Sequence, residues 1–493
     1  MRQFSRLNSI LAVLTVPALC LAADYVFLTI APDGSTIARD PSGAELWHAY
    51  HGRAGSATRP VTLALTTPAS PTMPMWDPLT NLDPSSTGQP IAGPIFDSLG
   101  NAWVVIDDAV SLVAIQSNGT SGTWQPPHII GPSIQAAGTI GVAVDQSGGF
   151  YVTYGTGVAG GSSFPLMWAK YTVASGWQAA AQIYNSPDSF TETFPAIDSS
   201  GRIVVVFNPK FAITSIASDP AQSTWGTVQT VSPATDSPIL PSVAANKSGT
   251  RLALVYLLDS NVFRRGLRYT FFNSSTGQWN ASLTVPNSAN VTFSGYSTLN
   301  AFPIAVDNLG NITVATSLSV RANSISDATA RPTKQWSIGG FRYENGVWSM
   351  QQLISPSGSL PDLENLGSTA LNANGTVLIS VPLFDGFQGT NITVFRFTPG
   401  IGWDTEIAAS FTNQGTISRS KVAWFEGTDA VVVYSAAGVP LQGALYANGA
   451  WGSGPAIPGN FTNVTFPALA GAPTGEALLG VPLGGVYVTY LRP

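Results

Sequence analysis

The sequence has little of what most metal centres and nucleophilic enzymes require. It has one cysteine and three histidines among 493 residues, and charged residues make up 10% of the chain. The cysteine, Cys20, lies in an apolar N-terminal stretch with the design of a secretory signal, so the mature chain would have none. Disulfides, zinc thiolates and a cysteine nucleophile are then excluded. Bulky Leu19 before Cys20 disfavours the alternative, a lipid anchor.

The N-terminus predicts export. Two arginines precede an apolar segment at 10–22, and cleavage after Ala22 or Ala23 fits the small-residue rule for signal peptides. We therefore expect a secreted, extracellular protein. No later run is long and apolar enough to span a bilayer as a helix.

The charge balance disfavours nucleic acid as a partner. The net charge is −6, and the longest basic cluster is "FRRGLR" at 263–268. Proteins that bind nucleic acid present larger basic patches. The partners that remain are glycans or an extracellular protein.

The three histidines, His48, His51 and His128, do not predict a metal centre. His48 and His51 are three residues apart, which places them on opposite faces of a strand. The sequence also lacks a G-x-S-x-G elbow and a D-x-D-x-D-G calcium loop. It therefore predicts no metal and no cofactor.

A recurring motif indicates a repeat of strands. An apolar residue, Asp or Asn, two further residues and Gly precede a β-branched run, as in "PAIDSSGRIVVVF" at 195–207. This pattern is typical of two strands joined by a tight turn. A third strand follows, as at 266–272, and a fourth begins at a tryptophan after a glycine turn. The aspartates of these motifs are interpreted as turn caps: Asp97, Asp145, Asp198 and Asp307.

The repeat predicts an all-β fold, a β-propeller of four-stranded blades. The tryptophans recur roughly 50 to 70 residues apart, as in propeller blades. One sheet cannot cover both of its apolar faces, whereas blades stacked around an axis cover each other. We predict eight blades, with seven as the alternative. The tryptophans are expected to pack between neighbouring blades: Trp124, Trp177, Trp225, Trp279, Trp348, Trp403 and Trp451.

The two ends of the chain are predicted to close the ring together. The last repeat, 464–493, supplies three strands, so the fourth must come from the N-terminal region. The candidates are 25–31 and 59–67, and 68–92 is predicted to be a proline-rich loop. The predicted organisation is a signal peptide at 1–22, closure strands and the proline-rich loop at 23–93, and propeller repeats at 94–493.

The turn before each tryptophan resembles the Asp-box, the bacterial neuraminidase repeat. "NSSTGQW" at 273–279 and "NGTSGTW" at 118–124 keep the small residues, the glycine and the tryptophan of that motif, but lack its aspartate and shorten its spacing. The resemblance implies a sialidase-type propeller and nothing about catalysis. Sialidases need three arginines from separate blades, and Arg264, Arg265 and Arg268 are too close in sequence.

Acidic residues in the loops between blades are the candidate ligand-binding groups. These loops join the fourth strand of one blade to the first strand of the next, and propeller geometry places them around one mouth of the central channel. Their side chains could converge there, or could be solvated loop residues. The candidates are Asp188, Glu192, Asp236, Tyr296, Asp362 and Glu364.

An excess of N-x-[ST] sequons favours a eukaryotic secretory route. The alternative is a bacterial protein in which these asparagines serve turns. The mouth beside Asp188, Glu192 and Asp236 has no sequon, which favours it as the functional surface. The sequons lie at Asn118, Asn246, Asn273, Asn280, Asn290, Asn311, Asn374, Asn391, Asn460 and Asn463.

Three functions stay open at this point. The first is a secreted binding propeller for carbohydrate or a cell-surface partner. The second is a glycoside hydrolase or polysaccharide lyase with paired carboxylates at the channel mouth. The third is a structural secreted or cell-wall protein without a small ligand. Propellers host all three classes, so the fold alone does not decide.

Overall fold

The structure, a computed structural model, is built from strands. No helix long and apolar enough to cross a membrane occurs among the described residues. These are residues 27–30, 36–39, 45–49, 74–83, 91–119, 122–134, 140–157, 161–209, 212–233, 236, 238–258, 266–288, 304–320, 335–354, 368–385, 388–410, 417–425, 429–436, 438–462, 464, 467–472, 475–482 and 485–492.

The chain divides into two compact units, Met1–Thr72 and Met73–Pro493. The described strands of the first unit form an antiparallel sheet in the order β1–β2–β3. They are β1 (Phe27–Ile30), β2 (Thr36–Arg39) and β3 (Glu45–Ala49).

The second unit begins with two short strands and continues with the blades. The short strands are β4 (Met75–Trp76) and β5 (Thr80–Asp83). Blade 1 consists of β6 (Ile91–Phe96), β7 (Ala102–Asp107), β8 (Ser111–Asn118), β9 (Thr123–Trp124) and β10 (His128–Pro132). Blade 2 consists of β11 (Gly141–Val144), β12 (Phe150–Gly155), β13 (Phe164–Thr172) and β14 (Gly176–Ser186). Blade 3 consists of β15 (Phe190–Ile197), β16 (Ile203–Pro209), β17 (Thr214–Ala217) and β18 (Gln229–Thr230).

The remaining blades repeat this arrangement. Blade 4 consists of β19 (Pro238–Ala245), β20 (Leu252–Leu258), β21 (Leu267–Asn273), β22 (Gln278–Trp279) and β23 (Leu283–Thr284). Blade 5 consists of β24 (Ile304–Val306), β25 (Ile312–Val320), β26 (Gln335–Glu344) and β27 (Val347–Ile354). Blade 6 consists of β28 (Thr369–Leu371), β29 (Val377–Asp385), β30 (Gln388–Thr398) and β31 (Gly402–Ser410). Blade 7 consists of β32 (Ile417–Phe425), β33 (Asp429–Ala436), β34 (Val439–Ala447) and β35 (Ala450–Ser453). Blade 8 contains β36 (Ala468–Gly471), β37 (Ala477–Pro482) and β38 (Val486–Arg492).

The first strand of each blade lies nearest the axis, and these inner strands form a closed circuit. Each inner strand contacts the inner strand of the next blade, and β36 of blade 8 contacts β6 of blade 1. The second strands are buried throughout, as in β7, β12 and β37. The prediction of an all-β propeller with eight blades is confirmed.

The ring is closed by β4 and β5, which pair with β38 and complete blade 8. Trp76 lies opposite Leu491, and Asn81 lies opposite Tyr487. Asp77 reinforces the junction, because its carboxylate accepts a hydrogen bond from the Arg492 guanidinium at 2.7 Å. Strands from both ends therefore close the ring, as predicted.

The segments predicted to supply the closing strand were wrong in part. The strand within 25–31 pairs with β2 in the first unit, and 59–67 lies outside the described residues. The closing strands instead come from 68–92, which was predicted to be a loop. They are two and four residues long and lie among prolines, so they show no readable alternation.

Tryptophans lie between adjacent blades throughout the ring. Trp279 of blade 4 packs with Val204 and Val206 of blade 3, and Trp348 of blade 5 packs with Val255 of blade 4. The same relation to the preceding blade holds for Trp124, Trp177, Trp225, Trp403 and Trp451. Blade 8 receives its tryptophan, Trp76, from β4, against blade 7.

These indoles contribute packing area more than hydrogen bonds. The indole N–H groups of Trp76, Trp279, Trp348 and Trp451 are buried and have no hydrogen-bond acceptor. At Trp403 the fit requires a glycine, since a Cβ on Gly340 of blade 5 would lie 2.6 Å from the indole. The shape and the apolar area of the indoles therefore determine how one blade packs against the next.

The turn between the first two strands follows the predicted chemistry. Asp97 Oδ1 accepts the backbone N–H groups of Leu99 and Asn101, both at 2.9 Å, and Gly100 has a φ of 82°. Asp145, Asp198 and Asp307 accept equivalent pairs of backbone N–H groups. The interpretation of these four aspartates as turn caps is confirmed.

The closing strand offers a matched pair of substitutions. Trp76 is 8% exposed, and its neighbour Met75 in the same strand is 70% exposed. We expect Trp76→Ala to lower the free energy of unfolding by about 3–5 kcal/mol, because it leaves a cavity between blades 7 and 8. Met75→Ala should change it by about 0.5 kcal/mol or less. Urea denaturation of both variants measures the difference, and equal effects would contradict the closure.

Candidate functional site

Two faces of the propeller differ in the loops that form them. The mouth face, as we call it, carries the connections from one blade to the next and the loops between second and third strands. The turn face carries the remaining turns. Asp188, Glu192 and Asp236 lie on the mouth face, at or before the inner strands of blades 3 and 4. The other candidates, Tyr296, Asp362 and Glu364, lie outside the described residues.

Glu192 is a buried carboxyl on the inner strand of blade 3. Glu192 is 7% exposed. It lies where the pairing of β15 with β16 shifts between Phe190 and Thr193. Such a bulge redirects side chains and is over-represented next to active sites. Burial raises the pKa of Glu192 from 4.5 to about 7. The carboxyl is therefore partly protonated at neutral pH and can both donate and accept a hydrogen bond.

Asn208 is the hydrogen-bond partner of Glu192, and its amide can form a further hydrogen bond. It lies near the mouth end of β16, and its Nδ2 donates to Glu192 Oε2 over a long 3.4 Å. Its Oδ1 is buried, and no described residue donates a hydrogen bond to it. An unpaired buried acceptor is unfavourable, so a ligand hydroxyl that donated to this oxygen would remove a cost of about 1–3 kcal/mol.

Asp236 belongs to a second polar cluster on the mouth face, in blade 4. Its Oδ2 is 2.9 Å from Arg268 Nε, and its side chain is 6% exposed. The Tyr256 hydroxyl lies 3.3 Å from the same oxygen and 2.9 Å from Ser282 Oγ. Burial raises the pKa of Tyr256 to about 12, so it stays protonated. The ion pair supports the rim of the mouth and is not a free acid.

Asp188 has a different environment from Glu192. It is exposed, in the short loop between β14 and β15. Its backbone exchanges hydrogen bonds with Ser186, whose Oγ donates to Asp188 O at 2.6 Å. Its carboxylate is available to solvent and to any ligand above the loop.

Sequence reasoning found the acids but missed their partners. Asn208, Tyr256 and Arg268 come from the second and third strands of blades 3 and 4, at the ends that open on the mouth. The sequence indicated these three residues only by their position, because the loops between second and third strands were expected at the mouth. Arg268 was considered only as part of an arginine triad, and its observed partner is Asp236.

The sequon asparagines differ in accessibility. Asn118, Asn280, Asn374 and Asn460 are exposed, and Asn273 and Asn391 are half-buried. Asn290 and Asn463 lie outside the described residues.

Two sequons, Asn246 and Asn311, are 4% and 7% exposed. Their Nδ2 atoms donate to Thr250 and Asp307, both at 2.9 Å. In the folded protein these two amides are used by the turns, and a glycan would require that the turns open.

Two of the three histidines lie among the described residues. His48 lies in β3 of the first unit, and His51 lies outside the described residues. His128 stacks on Trp177 with ring centroids 5.1 Å apart. In the described part of the chain, no three metal-ligating side chains come together.

The raised pKa of Glu192 predicts a pH-dependent stability. Ionising the buried carboxyl costs free energy in the folded state, so its contribution is favourable below about pH 4.5 and is lost as the pH rises to about 7. Glu192→Gln stays neutral and should be more stable than wild type above pH 7, by on the order of 2–3 kcal/mol. At pH 4 the two should agree. Urea denaturation from pH 4 to 9 measures this, with exposed Asp188→Asn as the control. A difference that does not change with pH would refute the assignment.

The chain matches no family model, and no curated protein is similar to it. Solved structures with a similar arrangement include an ulvan lyase of polysaccharide lyase family PL25 bound to -[GlcA(1-4)Rha3S]-, which is 12% identical, covers 76% of this chain and 97% of that chain, and has a TM-score of 0.47. The Dos1 propeller is 9% identical, with coverages of 85% and 95% and a TM-score of 0.45. The β-propeller domain of the Trilobed protease from Pyrococcus furiosus, which has an open velcro topology, is 9% identical, with coverages of 72% and 94% and a TM-score of 0.38. The propeller assignment for this chain rests on its own strand pairing.

Proposed function

We propose that the chain is a secreted glycoprotein whose propeller binds carbohydrate at the mouth face beside blades 3 and 4. The observation that carries this proposal is the pair formed by Glu192 and Asn208. One member is a buried carboxyl with a pKa of about 7, and the other is an amide whose buried oxygen lacks a donor. Adjacent hydroxyls of a sugar can donate to the amide oxygen and exchange a hydrogen bond with the carboxyl.

Exposed polar groups around the pair suit the same ligand. Asp188 lies in the loop that leads into the strand of Glu192. The Asp236–Arg268 ion pair fixes the neighbouring loop of blade 4, so the rim is held before a ligand arrives. A rim held in place lowers the entropic cost of binding. The proposal includes the resemblance to the Asp-box repeat, which concerns the propeller scaffold and not the binding site.

A second candidate function is carbohydrate cleavage, as a glycoside hydrolase or polysaccharide lyase. A carboxyl with a pKa near the working pH is suited to general acid or base catalysis, and this favours Glu192 as the acid or base. Release of new reducing ends from a panel of polysaccharides tests it, with Glu192→Gln as the inactive variant. If no polysaccharide is cleaved while glycan binding is observed, the binding function stands alone.

Export and glycosylation are part of the proposal. Exposed Asn118, Asn280, Asn374 and Asn460 are the sites we expect to carry glycans, whereas buried Asn246 and Asn311 should stay unmodified. Mass spectrometry of the secreted protein, with enzymatic release of glycans, maps occupied sites. Occupancy at the buried pair alone would overturn this assignment.

Binding at the mouth can be tested with three variants. We expect wild type to bind members of a glycan array, and Asn208→Ala to weaken the best ligand about tenfold, equivalent to one lost hydrogen bond of about 1.4 kcal/mol. Glu192→Ala should weaken it at pH 6 and 8, because alanine can neither donate to a sugar hydroxyl nor accept from one. Asp236→Asn is not suitable as a control, since it disrupts the rim.

The control is a mouth-distant substitution, exposed Asn374→Gln on the turn face, which should leave affinity unchanged. Asn208→Ala removes an unsatisfied oxygen together with the hydrogen bond to Glu192, so urea denaturation of this variant confirms first that it is folded. A folded Asn208→Ala variant with full affinity for every bound glycan would contradict the proposed site. Wild type that binds no glycan would favour the third function, a structural protein without a small ligand.

A further inference from the structure

A cavity lies on the turn face, on the opposite side of the propeller from the mouth face. It has a volume of about 660 Å³ and lies among the turns of blades 3, 4 and 5. This volume falls within the range of small-molecule sites, about 300–1,000 Å³. Its lining combines hydroxyl and amide side chains with two phenylalanines, Phe271 and Phe272, and one charged residue, Arg251. We call it the Arg251 cavity.

Arg251 has no acidic partner. Its guanidinium lies over the ring of Phe271, with Cζ 4.4 Å from the centroid. The backbone N–H of Arg251 donates to Asn246 Oδ1, but within the described residues its side chain forms no ion pair. The side chain is half-buried, and the chain as a whole carries a net charge of −6. A guanidinium held on a ring and left unpaired in an acidic protein is a ready binding group for an anion.

The carboxylates of the adjacent turns do not pair with Arg251. Asp198 and Asp307 lie in the adjacent turns, but neither lines the cavity. Asp307 is already paired with Arg342 at 2.5 Å. Asp198 is 3% exposed and its Oδ1 accepts the turn N–H groups of Ser200 and Arg202. The positive charge of Arg251 therefore faces the cavity without local neutralisation.

A second arginine at the equivalent position of blade 3 holds one wall of the cavity. In blades 1 and 5 this position is an asparagine, Asn101 or Asn311, whose amide pairs with the second oxygen of the turn aspartate. In blade 3 it is Arg202, whose Nη1 instead donates to Ser274 O at 3.1 Å, leaving Asp198 Oδ2 buried without a partner. Arg202 is thus a positioning residue for the turn that begins at Ser274.

The other donors of the cavity suit a polyhydroxylated ligand. Asn273 Oδ1 is occupied by the backbone and hydroxyl of Ser275, which leaves its Nδ2 directed away from the turn's own acceptors. Asn280 is exposed at the edge of the cavity. Amide donors around one guanidinium match a sugar ring that bears a single negative group.

We propose that the Arg251 cavity is a binding site for an anionic saccharide, a sugar that carries a carboxylate or a sulfate group. Arg251 binds the anionic group through two parallel N–H donors, and Asn273 and Asn280 bind ring hydroxyls. The site is separate from the mouth and does not depend on the function of Glu192. Asn273 and Asn280 are also sequons, so a glycan on either would occupy its Nδ2 and compete with the ligand.

The test uses the full mature chain produced in a host without N-glycosylation. Isothermal titration calorimetry at 0.15 M salt compares three probes: D-galacturonate, D-galactose 6-sulfate and D-galactose. We expect one or both anionic sugars to bind and neutral D-galactose to bind at least tenfold more weakly. Inorganic sulfate, as a further titrant, should bind more weakly than the anionic sugar, because it cannot contact the amides.

Matched variants assign the binding to the cavity. Arg251→Gln should weaken the anionic sugar at least tenfold, and Arg251→Lys should give an intermediate loss because the paired donors are gone. Lys247→Gln removes one positive charge from the same face, at an exposed residue that does not line the cavity, and should change affinity less than twofold. Asn280→Ala provides a variant whose exposed side chain makes misfolding a minor concern.

Several results would overturn the proposal. These are equal binding of neutral and anionic sugars, full affinity in Arg251→Gln, or equal losses in Arg251→Gln and Lys247→Gln. Absence of binding by both anionic sugars would also overturn it. None of these results bears on glycan binding at the mouth, which the variants of Asn208 test separately.

Discussion

The packing of one sheet against the next is the interaction on which the rest of this molecule depends. The second strands of the blades are mainly apolar on both faces, and β7, β12 and β37 are buried along their whole length, so no blade could cover itself. Each blade is covered by its neighbours, with a tryptophan at each contact. The last repeat supplies three strands, and Met75–Asp83 supplies the outer strand of that blade. Trp76 then occupies between blades 7 and 8 the place that the other tryptophans occupy elsewhere.

The packing of the blades determines where polar side chains remain for the two candidate sites. The scaffold uses its apolar residues between blades, which leaves polar chemistry at the strand ends. On the mouth face this chemistry is a protonatable carboxyl and an amide, and on the turn face it is an unpaired guanidinium. The two surfaces would therefore select different features of a carbohydrate, hydroxyl groups at one and negative charge at the other. Their separation on opposite faces would let one molecule contact two chains or two parts of one chain.

Much of the fold could be predicted because its repeat is local. The aspartate–glycine turns and the tryptophans after glycine are read within a few residues. The seven tryptophans, together with the three-strand repeat at 464–493, predict eight blades. The closing strand could not be found this way. Trp76 does not follow a glycine turn, since its partner strand β38 comes from the other end of the chain. Its two-residue strand carries no periodicity of its own.

The site was less predictable than the fold, for two physical reasons. Glu192 was assigned to a loop, but it lies inside β15 at a bulge, and nothing in the sequence distinguishes a bulge from a loop. Asn208 was missed because an amide becomes informative only when its oxygen is seen to be buried and unpaired. Arg202 and Arg251 did have a sequence signal. Each lies directly before the second strand of its blade, Arg202 before Ile203 and Arg251 before Leu252, at the position where blades 1 and 5 have asparagine.

A disulfide across the closing strand tests the central claim most directly. Met75 and Arg492 are paired residues in β4 and β38, and Cys20 is the one cysteine of the sequence. In the variant with Met75→Cys and Arg492→Cys, the account predicts a spontaneous disulfide, since paired strand residues lie within the distance that such a bond spans. Intact-mass measurement with and without reductant detects it. Two free thiols in the folded, oxidised protein would show that the ends of the chain do not meet, and would contradict the closed ring.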